Sequence, residues 1–479
     1  MNLTLLFPEW VTVGIFLILL LREILERPRP SEEPGVSNAA LFSSLAGAVL
    51  IFLSVLPFAG KIGAAFGGMF LLDPLASFFK VFFSLVLLGV TLMSGDFFRG
   101  LRLRSGEYFL LLWCAVIGLF FLVSANDLLL LFLALEMVTL SFYVLTAYVR
   151  REPNGIEAGL KYLVLGSLAS AVLIFGIALI YVGIGSTALP DIRIAYSEDP
   201  GNKFTLLGIL LVLAGFGFKV AAVPFHLWVP DVYQGAPTPV AAFLSVGSKA
   251  AGFAVLLRLL FTAFLPFESN RVVLFSALAA MTLLYGNLGA LLQNNIKRLF
   301  GYSSIGHAGY LLIGLAAGKA SGTTAVLYYL AAYAVTNLTA FWIITLVGRE
   351  METDDLKAYR GLAQRSPFLA GCFFVALLSL AGVPPLGGFF GKFLILLAAV
   401  KENLGWLAFL GALGVPVSLY YYLGIVRTMY LEEPDRQGPI SVLPSTRWGL
   451  VTLVLGILLI GIWQAPFLGF CSKAAAALF

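Results

Sequence analysis

Apolar runs long enough to cross a lipid bilayer recur along this sequence from Leu3 to Phe470. Crossing about 30 Å of hydrocarbon takes about 20 helical residues, which is the approximate length of each run. Only 11% of the residues are charged and 60% are hydrophobic, whereas soluble domains carry about 25% charged residues. The sequence therefore predicts an all-α polytopic membrane protein, and no stretch of it resembles a soluble domain.

Fourteen such runs are separated by short polar connections. Their expected bounds are 3–21, 38–59, 72–93, 107–124, 127–149, 159–184, 204–229, 239–263, 272–292, 298–317, 324–348, 367–400, 404–427 and 448–468. Proline interrupts the seventh and the twelfth run. No basic residue precedes the first run and no small-residue cleavage pattern follows it, so we interpret that run as a mature helix and not as a secretory signal.

The basic residues separate into two sets when the connections are assigned alternately to the two sides of the membrane. The larger set comprises Arg22, Arg27, Arg29, Arg99, Arg102, Arg104, Arg150, Arg151, Lys297, Arg298, Arg349, Lys357, Arg360, Arg365, Arg427, Arg436 and Arg447. The smaller set comprises Lys61, Arg193, Lys203, Arg271, Lys319, Lys401 and Lys473. By the positive-inside rule the larger set is cytoplasmic, so both termini are expected on the outer side. This topology accounts for the net charge of +5, which gives no reason to expect nucleic acid as a partner.

The cysteines and histidines give no sign of a bound cofactor. Cys114, Cys372 and Cys471 lack C-x-x-C spacing, so neither an iron–sulfur cluster nor a disulfide framework is predicted. His226 and His307 are the only histidines, and they lack the pairing on neighbouring helices that is typical of a b-type haem site. We expect no cofactor and no metal in this chain.

Six further basic residues fall inside the predicted spans: Lys80, Lys161, Lys219, Lys249, Arg258 and Lys392. A lysine at the centre of a transmembrane helix disfavours insertion by about 2.5–3.5 kcal/mol. Near a helix end the side chain reaches the interface by snorkelling, which we expect for Arg258 and which competes with a functional role for Lys161. Lys219, Lys249 and Lys392 lie too deep for snorkelling and are predicted to be functional.

Two of these deep lysines lie beside prolines that interrupt a predicted helix. Pro224 follows Lys219 within the seventh run, and Pro384 and Pro385 precede Lys392 within the twelfth. A proline removes one backbone donor and clashes with the preceding turn. The freed backbone groups are tolerated only next to water or protein interior, so broken helices of this kind mark ion sites in transporters built from repeats.

The two breaks are five helices apart, which predicts two five-helix repeats made of spans 4–8 and spans 9–13. Because each repeat has an odd number of spans, the two must be inverted relative to each other. The expected division is 1–106 for the first three helices, 107–265 and 266–430 for the repeats, and 431–479 for the last helix. An ungapped overlay of 124–139 on 292–307 aligns Asn126 with Asn294 and brings Glu136 close to the position of His307.

The interior groups that can exchange protons are Glu136, Lys161, Lys219, Lys249, His307 and Lys392, with His226 as an additional candidate. Burial favours the neutral form of each group and a Glu–Lys contact favours both charged forms, so a change of distance moves protons between them. We interpret the set as a proton pathway whose main pair in the first half is Glu136–Lys219. A sodium site is expected to use clustered carboxylates and hydroxyls instead. A purely structural role as ion pairs is disfavoured, since one interior carboxylate cannot neutralise so many cations.

Four ordered motifs carry a resemblance to a known family. They are GFKVAAVPFHLWVPDVYQGAPTPVAAFLSVGSKAAGF at Gly217–Phe253, SSIGHAGYLLIGL at Ser303–Leu315, DDLKAYRGL at Asp354–Leu362 and LAGVPPLGGFFGKF at Leu380–Phe393. With them the whole chain resembles the antiporter-like membrane subunits of respiratory complex I, NADH:quinone oxidoreductase. The subunit N branch is most similar, because subunit M has a glutamate at the position of Lys392 and subunit L has a long C-terminal helix for which no residues remain here.

The resemblance implies fourteen helices, two inverted repeats and a proton route over Glu136, Lys161, Lys219, Lys249, His307 and Lys392. It implies the bacterial inner membrane as location, the lipid bilayer, protons and other membrane-arm subunits as partners, and redox cofactors held by other subunits. Subunits of multi-component Na⁺/H⁺ antiporters and of related ion-pumping hydrogenase-type complexes are the alternative, since they share the lysines. The turn PDVYQGAP favours subunit N, and a purely structural membrane subunit is a third hypothesis.

Overall fold

The computed structural model describes residues 3–25, 38–99, 101, 105–150, 152–436 and 438–479. Five basic residues assigned above to cytoplasmic loops lie outside this part of the chain: Arg27, Arg29, Arg102, Arg104 and Arg151.

Helices make up most of the described chain. The α-helices are α1 (Phe7–Leu25), α2 (Asn38–Val55), α3 (Pro74–Phe98), α4 (Gly106–Ser124), α5 (Leu128–Thr146), α6 (Pro153–Ile184), α7 (Leu189–Glu198), α8 (Lys203–Lys219), α9 (Trp228–Gly235), α10 (Thr238–Phe243), α11 (Lys249–Arg258), α12 (Glu268–Leu291), α13 (Ile296–Ala317), α14 (Lys319–Met351), α15 (Leu362–Arg365), α16 (Pro367–Ala381), α17 (Gly387–Lys401), α18 (Gly405–Leu431), α19 (Pro444–Ile462) and α20 (Gln464–Ala476). Short 3₁₀ turns lie at Leu3–Leu6, Leu56–Phe58, Phe66–Gly68, Leu265–Phe267 and Leu356–Tyr359, and π-helical turns at Leu244–Ser248 and Leu259–Ala263. Two strands, β1 (Gly63–Ala65) and β2 (Phe70–Leu72), form an antiparallel hairpin with Gly63 opposite Leu72.

Twelve stretches of the described chain are long and apolar enough to cross a membrane. In two other regions a predicted apolar run is divided between two shorter helices, α8 with α9 and α16 with α17. These are the seventh and twelfth runs of the sequence, so their predicted interruption is confirmed. The predicted all-α membrane fold is confirmed as well, apart from the small hairpin, whereas the exact number of fourteen crossings stays a prediction.

The internal repeat is visible in the hydrogen bonding of α5 and α13. An isolated bridge pairs Asp127 with Ala188 just before α5, and a second pairs Asn295 with Asp355 just before α13. Asp127 and Asn295 also cap these helices, because their side chains accept hydrogen bonds from backbone N–H groups of the first turn. The two caps are aligned in the register of the sequence overlay. The helices that follow, α6 and α14, have 32 and 33 residues.

The centre of the molecule lies between the two halves. The segment Thr238–Ala263, which contains α10 and α11, is buried except at Thr262, and most of α13 and α14 is buried as well. By contrast α1, α6, α18 and α19 keep large apolar side chains exposed, as expected for helices that face lipid or a neighbouring subunit. The boundaries 106, 265 and 430 between units stay predictions.

The structure corrects the expectation that Arg258 snorkels to the interface. Its guanidinium is buried and donates two hydrogen bonds to the Asp73 carboxylate, at 2.8 and 3.1 Å, and a third to the carbonyl of Val123 at 3.0 Å. Arg258 is therefore a fixed contact between α11 and α3, and the snorkelling prediction is wrong because the sequence pattern does not reveal a partner 185 residues away.

The interior holds more than the one carboxylate expected from the sequence, so that expectation is also wrong. Glu9 on α1 and Lys80 on α3 form a fully buried ion pair with 2.5 Å between Nζ and Oε1. Within the described residues, neither group makes a further hydrogen bond. Buried carboxylates thus neutralise Lys80 and Arg258. In the part of the chain that the structure describes, Lys219, Lys249 and Lys392 have no carboxylate in direct contact.

We expect Lys80→Met to destabilise the protein by about 3–5 kcal/mol, because it leaves the charge of Glu9 buried without a partner. The double variant Glu9→Leu, Lys80→Met should recover most of this loss, since two apolar side chains replace the pair. Thermal unfolding in detergent measures both, with the exposed Lys473→Met as the control. A double variant no more stable than Lys80→Met would contradict the assignment of a simple ion pair.

Candidate functional site

Lys219 is the last residue of α8, at the point where the seventh apolar run of the sequence is interrupted. The chain runs irregularly through 220–227, which contains Pro224, before α9 begins at Trp228. The Lys219 ammonium is buried and donates a hydrogen bond of 2.7 Å to the Thr139 hydroxyl of α5. The prediction that the helix breaks within a turn of Lys219 is confirmed.

Glu136 lies on the same face of α5 as Thr139, one turn earlier. Its carboxylate is half-buried and accepts a hydrogen bond of 2.5 Å from the Ser170 hydroxyl of α6. Glu136 on α5 and Lys219 on α8 thus lie near the same part of α5, but they form no ion pair. Glu136 is bonded to the Ser170 hydroxyl and Lys219 to the Thr139 hydroxyl. The predicted pair is therefore open in this structure, with Thr139 holding the lysine.

Lys249 occupies the first position of α11, directly after the π-helical turn Leu244–Ser248. Its ammonium is buried and donates a hydrogen bond of 2.7 Å to the carbonyl of Ser304 on α13. Single π-helical turns inside α-helices occur frequently at functional sites. The Lys249 side chain therefore links α11 to α13.

His307 lies one turn beyond Ser304 on α13 and is buried. Its Nδ1 is 2.5 Å from the hydroxyl of Tyr329 on α14, and its Nε2 is 3.2 Å from the hydroxyl of Tyr422 on α18. Sequence reasoning missed both tyrosines, because a tyrosine in an apolar helix gives no signal of its own. Three helices converge on this imidazole.

Lys392 lies on α17 and reaches back across the second helix break. Its buried ammonium donates to the carbonyls of Leu380 and Ala381, at 2.8 and 3.0 Å, which are the last carbonyls of α16. A cation is favoured there because the C-terminal carbonyls of a helix lack intrahelical partners and carry partial negative charge. Pro384 and Pro385 lie in the connection 382–386 that α16 and α17 leave open.

Lys161 and His226 lie apart from this interior row. The Lys161 side chain on α6 is 44% exposed and pairs with Glu157 and Asp231, each at 2.8 Å. His226, in the first break, is buried with its ring 4.1 Å from the ring of Tyr285. Within the described residues neither nitrogen of His226 has a hydrogen-bond partner. The structure therefore brings together Glu136, Lys219, Lys249, His307 and Lys392 along the interior and places Lys161 at the periphery.

No group of three or more His, Cys, Asp or Glu side chains that could hold a metal ion occurs in the described part of the chain. Lys219, Lys249 and Lys392 are bonded to a neutral hydroxyl or to carbonyls. Such groups bind and release protons, and the breaks beside Lys219 and Lys392 supply the polar backbone that a proton path through a membrane needs.

Comparison with known proteins assigns a family to this arrangement. Residues 125–418, which include both helix breaks, match the family described as NADH:quinone oxidoreductase/Mrp antiporter, TM. NADH-quinone oxidoreductase subunit N of Moorella thermoacetica is 40% identical over 440 residues, which cover 90% of this chain and 92% of that protein. The chain belongs to the NADH-quinone oxidoreductase subunit N family. The resemblance inferred from the four motifs is thereby confirmed.

Solved structures share the fold of this subunit N family member. A chain of respiratory complex I from Thermus thermophilus with bound aureothin superposes with a TM-score of 0.81 at 34% identity, covering 96% of this chain and 98% of that chain. A chain of the Mrp complex from Dietzia sp. DQ12-45-1b superposes with a TM-score of 0.84 at 22% identity, covering 100% and 98%. The second likeness shows the fold alone.

The second break depends on a close contact that a glycine permits, which gives a direct test of its geometry. A Cβ atom at Gly388 would lie 1.9 Å from the backbone carbonyl oxygen of Ser379, whereas a Cβ at Gly371 meets nothing within 4 Å. We expect Gly388→Ala to separate α16 from α17 and to lower the yield of assembled, active protein severalfold, because overpacking costs about 1–3 kcal/mol. Gly371→Ala is the matched control. Wild-type yield and activity in Gly388→Ala would contradict the packing of the break.

Proposed function

We propose that this chain is a proton-translocating membrane-arm subunit of a NADH:quinone oxidoreductase, working beside other antiporter-like subunits in a bacterial inner membrane with both termini on the outer side. The observation that carries the proposal is the interior row of Lys219, Lys249, His307 and Lys392, which spans both halves and lacks carboxylate partners in direct contact. Electron transfer takes place in other subunits, and this chain performs the non-redox part of the reaction.

The first half works as a switchable pair in this proposal. Lys219 is bonded to Thr139, while Glu136 is bonded to Ser170. Closing the Glu136–Lys219 contact stabilises the ammonium, and opening it destabilises the ammonium and drives its proton onward to Lys249. Two opposite charges 4 Å apart at an effective dielectric constant of about 20 attract by about 4 kcal/mol. This exceeds the cost of about 2.3 kcal/mol for moving one charge against 100 mV, so one such contact suffices to drive the step.

The proton then passes from Lys249 through the region of His307 to Lys392, which releases it towards the outer side. Lys392 is suited to accept it because the carbonyls of Leu380 and Ala381 favour the ammonium form. Lys161 takes part as a peripheral donor that supplies the first half, since it is exposed and paired with Asp231. His226 is kept as an additional candidate at the first break.

A role in multi-component Na⁺/H⁺ antiport is the alternative, supported by the match to a family that is described as including Mrp antiporters. The interior row argues against a Na⁺ site within it, because Na⁺ needs oxygen ligands and ammonium groups repel it. The buried carboxylates Glu9 and Asp73 are held by Lys80 and Arg258 and are therefore not free to bind a cation.

We expect Lys219→Ala to lower proton pumping and the coupled NADH oxidation rate by about tenfold or more, because a positioned proton-transfer group contributes about 10²–10⁴-fold to rate. Dye-quench fluorescence in vesicles that contain the assembled complex measures pumping, with NADH oxidation followed in parallel. Lys203→Ala, at the exposed start of the same helix, is the matched control. Normal pumping in an assembled Glu136→Ala, Lys219→Ala double variant would rule the proposal out.

A further inference from the structure

The interior lysines leave a gap that charged groups do not bridge. Lys249 ends at the carbonyl of Ser304, and Lys392 ends at the carbonyls of the second break with its ammonium 4.9 Å from the centre of the Tyr310 ring. A carbonyl oxygen accepts a hydrogen bond but carries no proton to pass on. Groups that both donate and accept must therefore connect the two lysines.

A continuous chain of such groups lies across this gap. The Ser303 hydroxyl is hydrogen-bonded to the Tyr422 hydroxyl, which is 3.2 Å from Nε2 of His307, and Nδ1 of the same ring is 2.5 Å from the Tyr329 hydroxyl. All four side chains are at most 3% exposed. Hydroxyls donate and accept at once, and a neutral imidazole donates from one nitrogen and accepts at the other. Every link in Ser303–Tyr422–His307–Tyr329 can therefore pass a proton in either direction.

Each end of this hydrogen-bonded chain is one residue removed from a lysine or from a residue that a lysine contacts. Ser303 precedes Ser304, whose carbonyl holds Lys249. Tyr329 packs on Gly391, the residue before Lys392, so closely that a Cβ atom at Gly391 would lie 2.2 Å from the Tyr329 ring. The spacing along α13 agrees with this arrangement. Ser303, His307 and Tyr310 follow an i, i+4, i+7 pattern, so they lie on one face of the helix.

We propose, resting on the proposed function, that Tyr422 and Tyr329 are relay residues that carry the proton into and out of His307 between Lys249 and Lys392. The Lys249 ammonium gives a proton to the Ser303 oxygen, whose own proton passes to Tyr422, from Tyr422 to Nε2, from Nδ1 to Tyr329, and from Tyr329 to the Lys392 amine. Each relay side chain forms one bond to hydrogen and breaks one; at His307 the bond forms at Nε2 and breaks at Nδ1, so the imidazole changes tautomer. Only the two lysines change charge, so no ion forms on a tyrosine or on His307.

Surrounding contacts favour this use of the phenols over a packing role alone. Among the residues that the structure describes, His307 makes hydrogen bonds to the two phenols and to no carboxylate. The neighbouring phenol of Tyr328 points elsewhere and donates to the carbonyl of Ile460. Tyr328 and Tyr329 are adjacent on α14 but differ in their hydrogen-bond partner. Tyr329 is bonded to an imidazole, which can pass a proton on, and Tyr328 to a carbonyl, which cannot.

The test compares Tyr422→Phe and Tyr329→Phe with the matched control Tyr328→Phe in the intact complex, reconstituted in vesicles. Pumping and NADH oxidation are followed in H₂O and in D₂O. We expect each relay variant to slow both rates about tenfold or more and to show a larger H₂O/D₂O rate ratio than wild type, because the interrupted transfer becomes limiting. Tyr328→Phe should match wild type in both readouts.

Three results decide the inference. Wild-type rates in both relay variants, while Lys219→Ala stops pumping, would overturn the relay and leave the proposed function intact. Slow relay variants with an unchanged isotope ratio would also overturn it, because this is the result expected from a disturbance of packing. If Lys219→Ala pumps normally as well, the proposed function fails and the relay fails with it. Should Tyr422→Phe not assemble, Ser303→Ala removes the first link of the same chain and is read in the same way.

Discussion

The constraint on which the structure depends is that no backbone polar group can be left unpaired in a membrane. Twelve apolar stretches meet it by continuous helices. The two helix breaks violate it locally. At the first, Lys219 ends α8 and donates to the Thr139 hydroxyl, and at the second, Lys392 donates to the free carbonyls at the end of α16. At the second break the lysine proposed for proton transfer therefore also pairs the backbone that the break leaves free.

The interior cations divide into two classes by the groups that hold them. Lys80 and Arg258 are paired with carboxylates, which gives them a structural role: Lys80 joins α3 to α1, and Arg258 joins α11 to the start of α3. Lys219, Lys249 and Lys392 are held by a hydroxyl or by carbonyls. A neutral partner leaves a lysine free to lose its proton without stranding an opposite charge. Burial alone does not distinguish the classes, but the partner does.

Much of this was predictable from the sequence, because the deciding signals are local. A lysine within an apolar run and a proline near it specify the two breaks, and their separation by five helices specifies the repeat. The partners were not predictable. Asp73 is far from Arg258 in sequence, and Glu9 lies close to the start of its helix, where a carboxylate looks like a solvated end group. Tyr329 and Tyr422 were missed because only the packing of α13, α14 and α18 shows that their hydroxyls meet at one histidine.

The central claim is that the two halves form one proton route and not two parallel ones. A double-mutant cycle on Lys219 and Lys392 tests it most directly, with pumping per NADH oxidised measured in vesicles that contain the intact complex. If the route is single, Lys219→Ala, Lys392→Ala and the double variant lose the same amount of pumping, because the second break in a path that is already interrupted has no further effect. Losses that add in the double variant would contradict the account and indicate two independent paths.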